Sequence, residues 1–257
     1  MKQIVISLFL TLVLVSCGTG RENESTSIQQ ATNLVYLSDT TTDNEEEKVK
    51  FLSDVQEMLI LEDKVIIEPL SGKIESLDPE ASSIIASAIS DTSSYDLAYG
   101  NGDLYYLLGA KDSWGKVEWE YFYSFSKWAV SNNFRTILIP SAQTPHVKEA
   151  VQSPTTSLII WSSHGDKNGN IYDYEGKILP KDIFSKNKGK RFNRLILNNC
   201  YSYTSSKHYS FSGFLTTWKG LTDSNKMIKY LNSTKFNKSV AEALKATREQ
   251  EKEDLSE

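Results

Sequence analysis

The chain has 257 residues, 28 basic against 33 acidic side chains, a formal charge of −5 and an apolar content of 39%. That balance does not favour nucleic acid, because the basic residues are scattered and the densest group, within 186–194, reads as a solvated loop beside a strand. The length fits one ordinary domain plus a tether.

At the amino end, residues 4–15 are apolar apart from Ser7 and Thr11, follow a single Lys2, and close on Leu14-Val15-Ser16-Cys17. A basic start, a short apolar core and small residues at the cut describe an export signal, and the run is too short to span a bilayer. The ending resembles a bacterial lipobox. That resemblance implies removal of residues 1–16, a thioether-linked diacylglycerol and an acyl chain such as palmitate on Cys17, and anchoring to a membrane of the bacterial cell envelope through lipid alone. Gly18 after the cysteine is similar to outer-membrane lipoproteins. Residues 17–33, rich in Ser, Thr, Glu, Gln and Asn, cannot bury a core and read as a lipidated flexible tether.

A single domain is expected over 34–257. Residues 34–37 (LVYL) read as a strand and 38–44 as a polar turn. Val49, Leu52, Val55 and Leu59 recur at helical spacing behind Glu45, Glu46 and Glu47, which suit a helix start. Residues 64–69 (KVIIEP) return as a strand, and Asp78-Pro79-Glu80 opens a second helix running to Ile89. The stretch 96–108 (DLAYGNGDLYYLL) reads as a hairpin or tight turn around Asn101-Gly102. Its Gly-x-Gly lacks the third glycine and the lysine of nucleotide-binding loops.

Residues 117–132 read as a long helix packing Trp119, Phe122, Phe125 and Trp128 onto a sheet. Strands are expected at 136–140 (TILIP), 158–161 (LIIW), 195–197 (LIL) and 215–218, with helices at 145–152, 223–231 and 240–250. The last is read as opened by a capping box, Ser239-x-x-Glu242. Such uniformly apolar runs suit strands covered on both faces, hence a mostly parallel sheet with crossover helices. The fold class is α/β.

Two of these strands end in chemistry. LIIW runs into Ser162-Ser163-His164-Gly165, and LIL runs into Asn198-Asn199-Cys200. Ligand-handling residues of open parallel sheets gather beyond the carboxyl ends of the strands, so neighbouring strands would bring His164 and Cys200 to one rim. With Cys17 carrying lipid, Cys200 has no intramolecular disulfide partner. A free thiol, with a pKa near ~8.5, needs a base to become a nucleophile, and an imidazole within reach supplies one. Amide donors for a developing oxyanion could come from Gly165 and Cys200.

LIIWSSHG and LILNNC together resemble the caspase-like cysteine peptidases, the group containing caspases, legumains, gingipains and CHAT domains. In that group an apolar strand leads into His-Gly, and a second apolar strand leads into the catalytic cysteine. The similarity covers residues 134–251, including GFLTTWKGLTDSNKMIKYL and SVAEALKAT. It implies a three-layer α/β/α fold, a peptide or protein substrate, His164 as general base, Cys200 as nucleophile, and Gly165 with Cys200 as oxyanion-hole donors. No metal and no cofactor is implied. Asn199 stands where caspases carry alanine, and no glycine follows at their position, so caspase specificity is not implied. Asp166, Asp173, Glu175 and Trp218 are candidates for lining a specificity pocket. The alternative reading is a catalytically inactive caspase-like envelope lipoprotein that binds or scaffolds. A zinc site assembled from His164, Cys200, His208 and Asp166 lacks any paired ligand motif, and Ser162 or Ser163 lacks the elbow motif of serine hydrolases.

Overall fold

Apolar runs of four to seven residues, too short for helices and rich in Leu and Ile, supply most of one sheet. The computed structural model describes residues 34–37, 44–61, 64–69, 101–111, 116–132, 134–186 and 190–256, all within one compact unit, Ala31–Glu257. The strands are β1 (Leu34–Leu37), β2 (Val65–Pro69), β3 (Asp103–Leu108), β4 (Arg135–Ile139), β5 (Thr156–Ser162), β6 (Arg194–Asn198) and β7 (Phe214–Thr216). They form a seven-stranded sheet in the order β1-β2-β4-β3-β5-β6-β7. β3 to β7 are mutually parallel, while β2 meets β4 antiparallel and carries β1 beside it. Among the five parallel strands the order reverses between β3 and β5, which makes a crevice beyond their carboxyl ends.

The helices are α1 (Glu45–Leu61), α2 (Lys116–Ser131), α3 (Thr144–Gln152), α4 (Ser202–Ser205), α5 (Ser224–Leu231) and α6 (Thr234–Ser256). The sheet is buried on both faces, which is why its central strands are apolar without alternation. Leu104, Tyr106, Leu108, Leu158, Ile160 and Ile196 pack with residues of α1, α2, α5 and α6. Tyr105, Leu107, Ile159, Trp161, Leu195 and Leu197 pack on the opposite face with Val147, Ala150 and Val151 of α3. The aromatics of α2 face the sheet as expected. Phe122 and Phe125 are buried, and Trp128 meets Phe236 of α6 at 4.8 Å while its indole N–H donates to Asn237 at 2.7 Å.

The amino edge is fixed by charge. Asp103 and Arg135 are register partners at the starts of β3 and β4, joined in a bidentate pair at 2.8 and 2.6 Å, with Thr155 Oγ1 donating to the same carboxylate. A buried pair this well bonded offsets much of its desolvation cost.

Three expectations need correction. Residues 103–108 are no hairpin arm: β3 is flanked by β4 and β5, both parallel to it, and only the Asn101-Gly102 turn survives, with Gly102 at φ 81°. The last helix starts at Thr234, not at Val240, so Ser239 caps nothing. Its hydroxyl donates to Phe236 O within the helix and accepts from Arg194, while the true cap is Ser233, whose hydroxyl accepts from Phe236 N at 3.2 Å. The strand expected at 215–218 is β7, shifted to Phe214–Thr216. The readings of 1–33, the turn within 38–43, and the helix expected at 78–89 lie outside the described residues.

Candidate active site

β5 and β6 pair in parallel over Leu158↔Arg194 to Ser162↔Asn198, so the two motifs leave the sheet side by side at its carboxyl edge. Each strand ends by exchanging its last apolar residue for a polar one that ties the edges together. Asn198 Nδ2 donates to Ser162 Oγ at 2.9 Å, and Ser163 N donates to Asn198 O at 3.2 Å. His164 stands two residues beyond this register pair and Cys200 two residues beyond its partner.

After His164 the chain makes two compact turns of the same design, Asp166-x-x-Gly169 and Asp173-x-x-Gly176. In each the glycine amide returns to the aspartate carbonyl and the glycine takes a positive φ, 79° and 77°. The Asp166 carboxylate accepts from Asn168 N, Asn170 N, Asn170 Nδ2 and the Tyr172 hydroxyl, bonds led by Asn170 that pull its pKa down to about 2. Asp173 is buried and takes bonds from Thr144, Glu175 N and Lys177 N. Both acids therefore build turns. The first turn is anchored to the site by Tyr172 N, which donates to His164 O at 3.1 Å.

Gly165 is where the two loops touch. A β-carbon there would come under 3.0 Å from Asn199 Nδ2 and from the Cys200 carbonyl oxygen, so only glycine allows this approach. Gly165 bridges Ile171 antiparallel, with the flanking bonds Tyr172 N to His164 O and Asp166 N to Asn170 O. In such a non-hydrogen-bonded pair the Gly165 amide points away from the hairpin. Among the described residues neither the Gly165 amide nor the Cys200 amide donates a hydrogen bond.

The Cys200 turn is held from below and from the side. Asn199 is fully buried, and its Nδ2 donates to Cys200 O at 3.0 Å and to Ser205 Oγ at 3.3 Å. Tyr201, next in sequence, adopts the left-handed conformation (φ 57°, ψ 27°), uncommon for a residue with a side chain, and turns the strand directly into α4. The loop after β7 closes over it. Tyr201 N donates to Gly220 O and Tyr203 N to Trp218 O, while Cys200 Sγ lies 3.8 Å from Thr222 O and Thr222 Oγ1 donates to Asn198 Oδ1 at 3.2 Å. Cys200 is a half-buried free thiol, and His164 is exposed.

Beside His164, at the crevice between β3 and β5, a cavity of about 370 Å³ is lined by Gly109, Lys111, Tyr172, Asp173, Tyr174 and Glu175. Two of the four pocket candidates, Asp173 and Glu175, are thus at the site. Trp218 instead packs edge-on against Tyr230 at 5.9 Å, and Asp166 is spent on its turn. His146 accepts from Gln143 N within α3, and the exposed His208 ring lies over Gly169. Among the described residues no cluster of three His, Cys, Asp or Glu is placed to hold a metal ion, and no helix is long and apolar enough to cross a membrane. Thr222 and Tyr201 escaped the sequence reading because a backbone carbonyl and a φ angle leave no motif. The paired Asp-x-x-Gly turns were visible and carried a usable signal.

Comparison with family models, with curated proteins and with solved structures finds no match for this chain.

Proposed function

We propose that the protein is a cysteine endopeptidase of caspase-like type, with a three-layer α/β/α fold, held at the bacterial cell envelope by lipid on Cys17. One observation carries the reading: adjacent parallel strands deliver His164-Gly165 and Cys200 to one rim, in backbone contact, with the amides of Gly165 and Cys200 unspent among the described residues. Two unspent donors beside a free thiol suit a developing oxyanion. The 370 Å³ cavity beside His164 is large enough for part of an extended peptide.

In this reading His164 accepts the thiol proton as Cys200 Sγ attacks the scissile carbonyl. The oxyanion rests on the Gly165 and Cys200 amides. Its collapse breaks the C–N bond, and His164 returns the proton to the leaving amine. Water, deprotonated by His164, then hydrolyses the thioester and regenerates the thiol. The turns at Asp166 and Asp173 hold the His164 loop in position; no cofactor takes part in any step.

The test is cleavage of a peptide library by the purified protein. Cys200→Ala and His164→Ala should each lower turnover by at least about 10²-fold with unchanged circular dichroism. Turnover equal to that of the unaltered protein removes the reading. A binding or scaffolding lipoprotein without catalysis is the second reading, favoured by the contact of Sγ with Thr222 O, which an attacking thiol must leave.

A further inference from the structure

We propose, with the lipid-anchored reading as its basis, that the carboxyl edge of the sheet carries a membrane-docking surface for anionic phospholipid headgroups, made by Tyr203, Lys207, Lys219, Leu221 and Lys226. Two segments that leave the neighbouring strands β6 and β7 at that edge build it: α4 with the turn after it, and the loop from β7 to α5. They are stitched together by Tyr203 N donating to Trp218 O and Tyr201 N donating to Gly220 O. Leu221 is 64% exposed and Tyr203 45% exposed. Three exposed lysines stand around them. Lys207 Nζ and Lys219 Nζ lie 4.9 and 5.7 Å from the centre of the Tyr203 ring, and Lys226 Nζ donates to the Leu221 carbonyl at 2.7 Å.

Charge and composition name the partner. The chain carries −5 overall, yet residues 201–208 and 217–226 hold three lysines and a single acid, Asp223, whose carboxylate accepts from Lys226 N at the start of α5. None of the three ammonium groups meets a carboxylate among the described residues. A leucine projecting among lysines and a tyrosine suits a bilayer interface: the apolar side chain enters the acyl boundary, the phenol sits at headgroup level and the ammonium groups meet phosphate. A soluble anion would engage the lysines and leave Leu221 in water, whereas a lipid surface engages both. The topology brings the anchor to the same side. β1 is parallel to β2 and β2 antiparallel to β4, so β1 runs opposite to β3–β7 and its amino end points to the edge that carries this surface. Cys17 lies seventeen positions before Leu34, at most about 60 Å of extended chain, against about 30 Å across the seven-stranded sheet from β1 to β7. Lipid on Cys17 and the surface beyond β6 and β7 therefore reach one bilayer together, and the anchor raises the effective concentration at which these weak contacts act.

The test supplies the anchor artificially, so that it stands apart from both lipidation and catalysis. The mature chain from residue 17, carrying Cys17→Ala and Cys200→Ala, is held on vesicles by an amino-terminal histidine tag and a nickel-chelating lipid. A nitrobenzoxadiazole label is placed on Leu221→Cys or, at the opposite edge, on Ser212→Cys, which is exposed just before β7. On vesicles containing phosphatidylglycerol the Leu221 label should brighten and shift to shorter wavelength, and the Ser212 label should not. On phosphatidylcholine alone both should stay as in solution. Lys207→Gln, Lys219→Gln and Lys226→Gln should each lower the ratio of docked to free label about fivefold. Equal responses of the two labels, an equal response on phosphatidylcholine, or indifference to all three lysine variants overturns the inference. A Leu221 label silent on both vesicles also overturns it and leaves the surface to an acidic protein. Lipidation is judged separately by the membrane fraction of Cys17→Ala, and the peptidase reading by peptide cleavage, so the failure of either is distinguishable from failure of the docking surface.

Discussion

Replacing Gly165 by alanine adds one methyl at the point where the His164 and Cys200 loops touch. The new carbon would lie under 3.0 Å from Asn199 Nδ2 and from the Cys200 carbonyl oxygen, against the 3.4–4 Å of ordinary contact. Neither neighbour can yield easily. The oxygen is backbone, and the Asn199 side chain is fully buried and bonded to Cys200 O and Ser205 Oγ. The loops must separate by on the order of 1 Å, and overpacking of this kind costs about 1–3 kcal/mol. For a domain of this size that lowers Tm by roughly 2–4 °C per kcal/mol. The same displacement moves the Gly165 amide and His164 relative to Sγ, and a 1 Å misplacement costs about 10²-fold in turnover. Urea denaturation and thermal melting give the first number, and steady-state peptide cleavage the second. A Gly165→Ala protein with unaltered midpoint and Tm would refute the backbone contact on which the shared rim depends.

Other outcomes follow from the same geometry. Arg135→Met should lower stability by about 3–5 kcal/mol, because it removes the guanidinium bonded twice to the buried Asp103 carboxylate; denaturant unfolding of this variant beside Asp103→Asn/Arg135→Met should show the double variant recovering part of the loss. At Tyr201, held at φ 57°, valine should cost about 1–2 kcal/mol relative to glycine, read as a difference in urea midpoints. The Asp166 carboxyl, lowered in the folded protein from 3.8 to about 2, contributes stability that is fully present above pH 4 and is lost as pH falls toward 2. The acid limb of the stability profile should therefore be shallower in Asp166→Asn. Cys17→Ala should move the protein from the membrane fraction to the soluble one, and continued retention in membranes would overturn the lipid anchor.

Much of the fold could be read from pattern alone, for a physical reason. β5 and β6 are covered on both faces, so their apolar runs are uninterrupted and end sharply where the sheet meets its rim. That abrupt switch from Ile-Trp and Ile-Leu to Ser, Asn, His and Cys is what located the candidate pair. Of the two readings of Asn101-Gly102, hairpin or tight turn, the turn holds: it delivers a buried strand into a parallel sheet. Ser239 has the residue pattern of a cap, but Phe236 is fully buried one turn earlier and draws the helix back to Ser233. Asp173 and Glu175 were candidates for lining a specificity pocket; both line the cavity beside His164, and the Asp173 carboxylate is committed to a turn. Trp218, a candidate for the pocket lining at the end of the strand expected over 215–218, packs its ring against Tyr230. The role of glycine after His164 was read as an amide approaching a substrate; its close packing against Asn199 and Cys200 is a second reason for the same residue, visible only once both loops are in space.

Pairing of His164 with Cys200 at this rim is read from the rate at which a peptide acyloxymethyl ketone labels Cys200, followed by intact mass, in the unaltered protein and in His164→Ala. A single adduct on Cys200 should form at least about 10²-fold faster when His164 is present. Equal rates in the two proteins, or labelling away from Cys200, would contradict it.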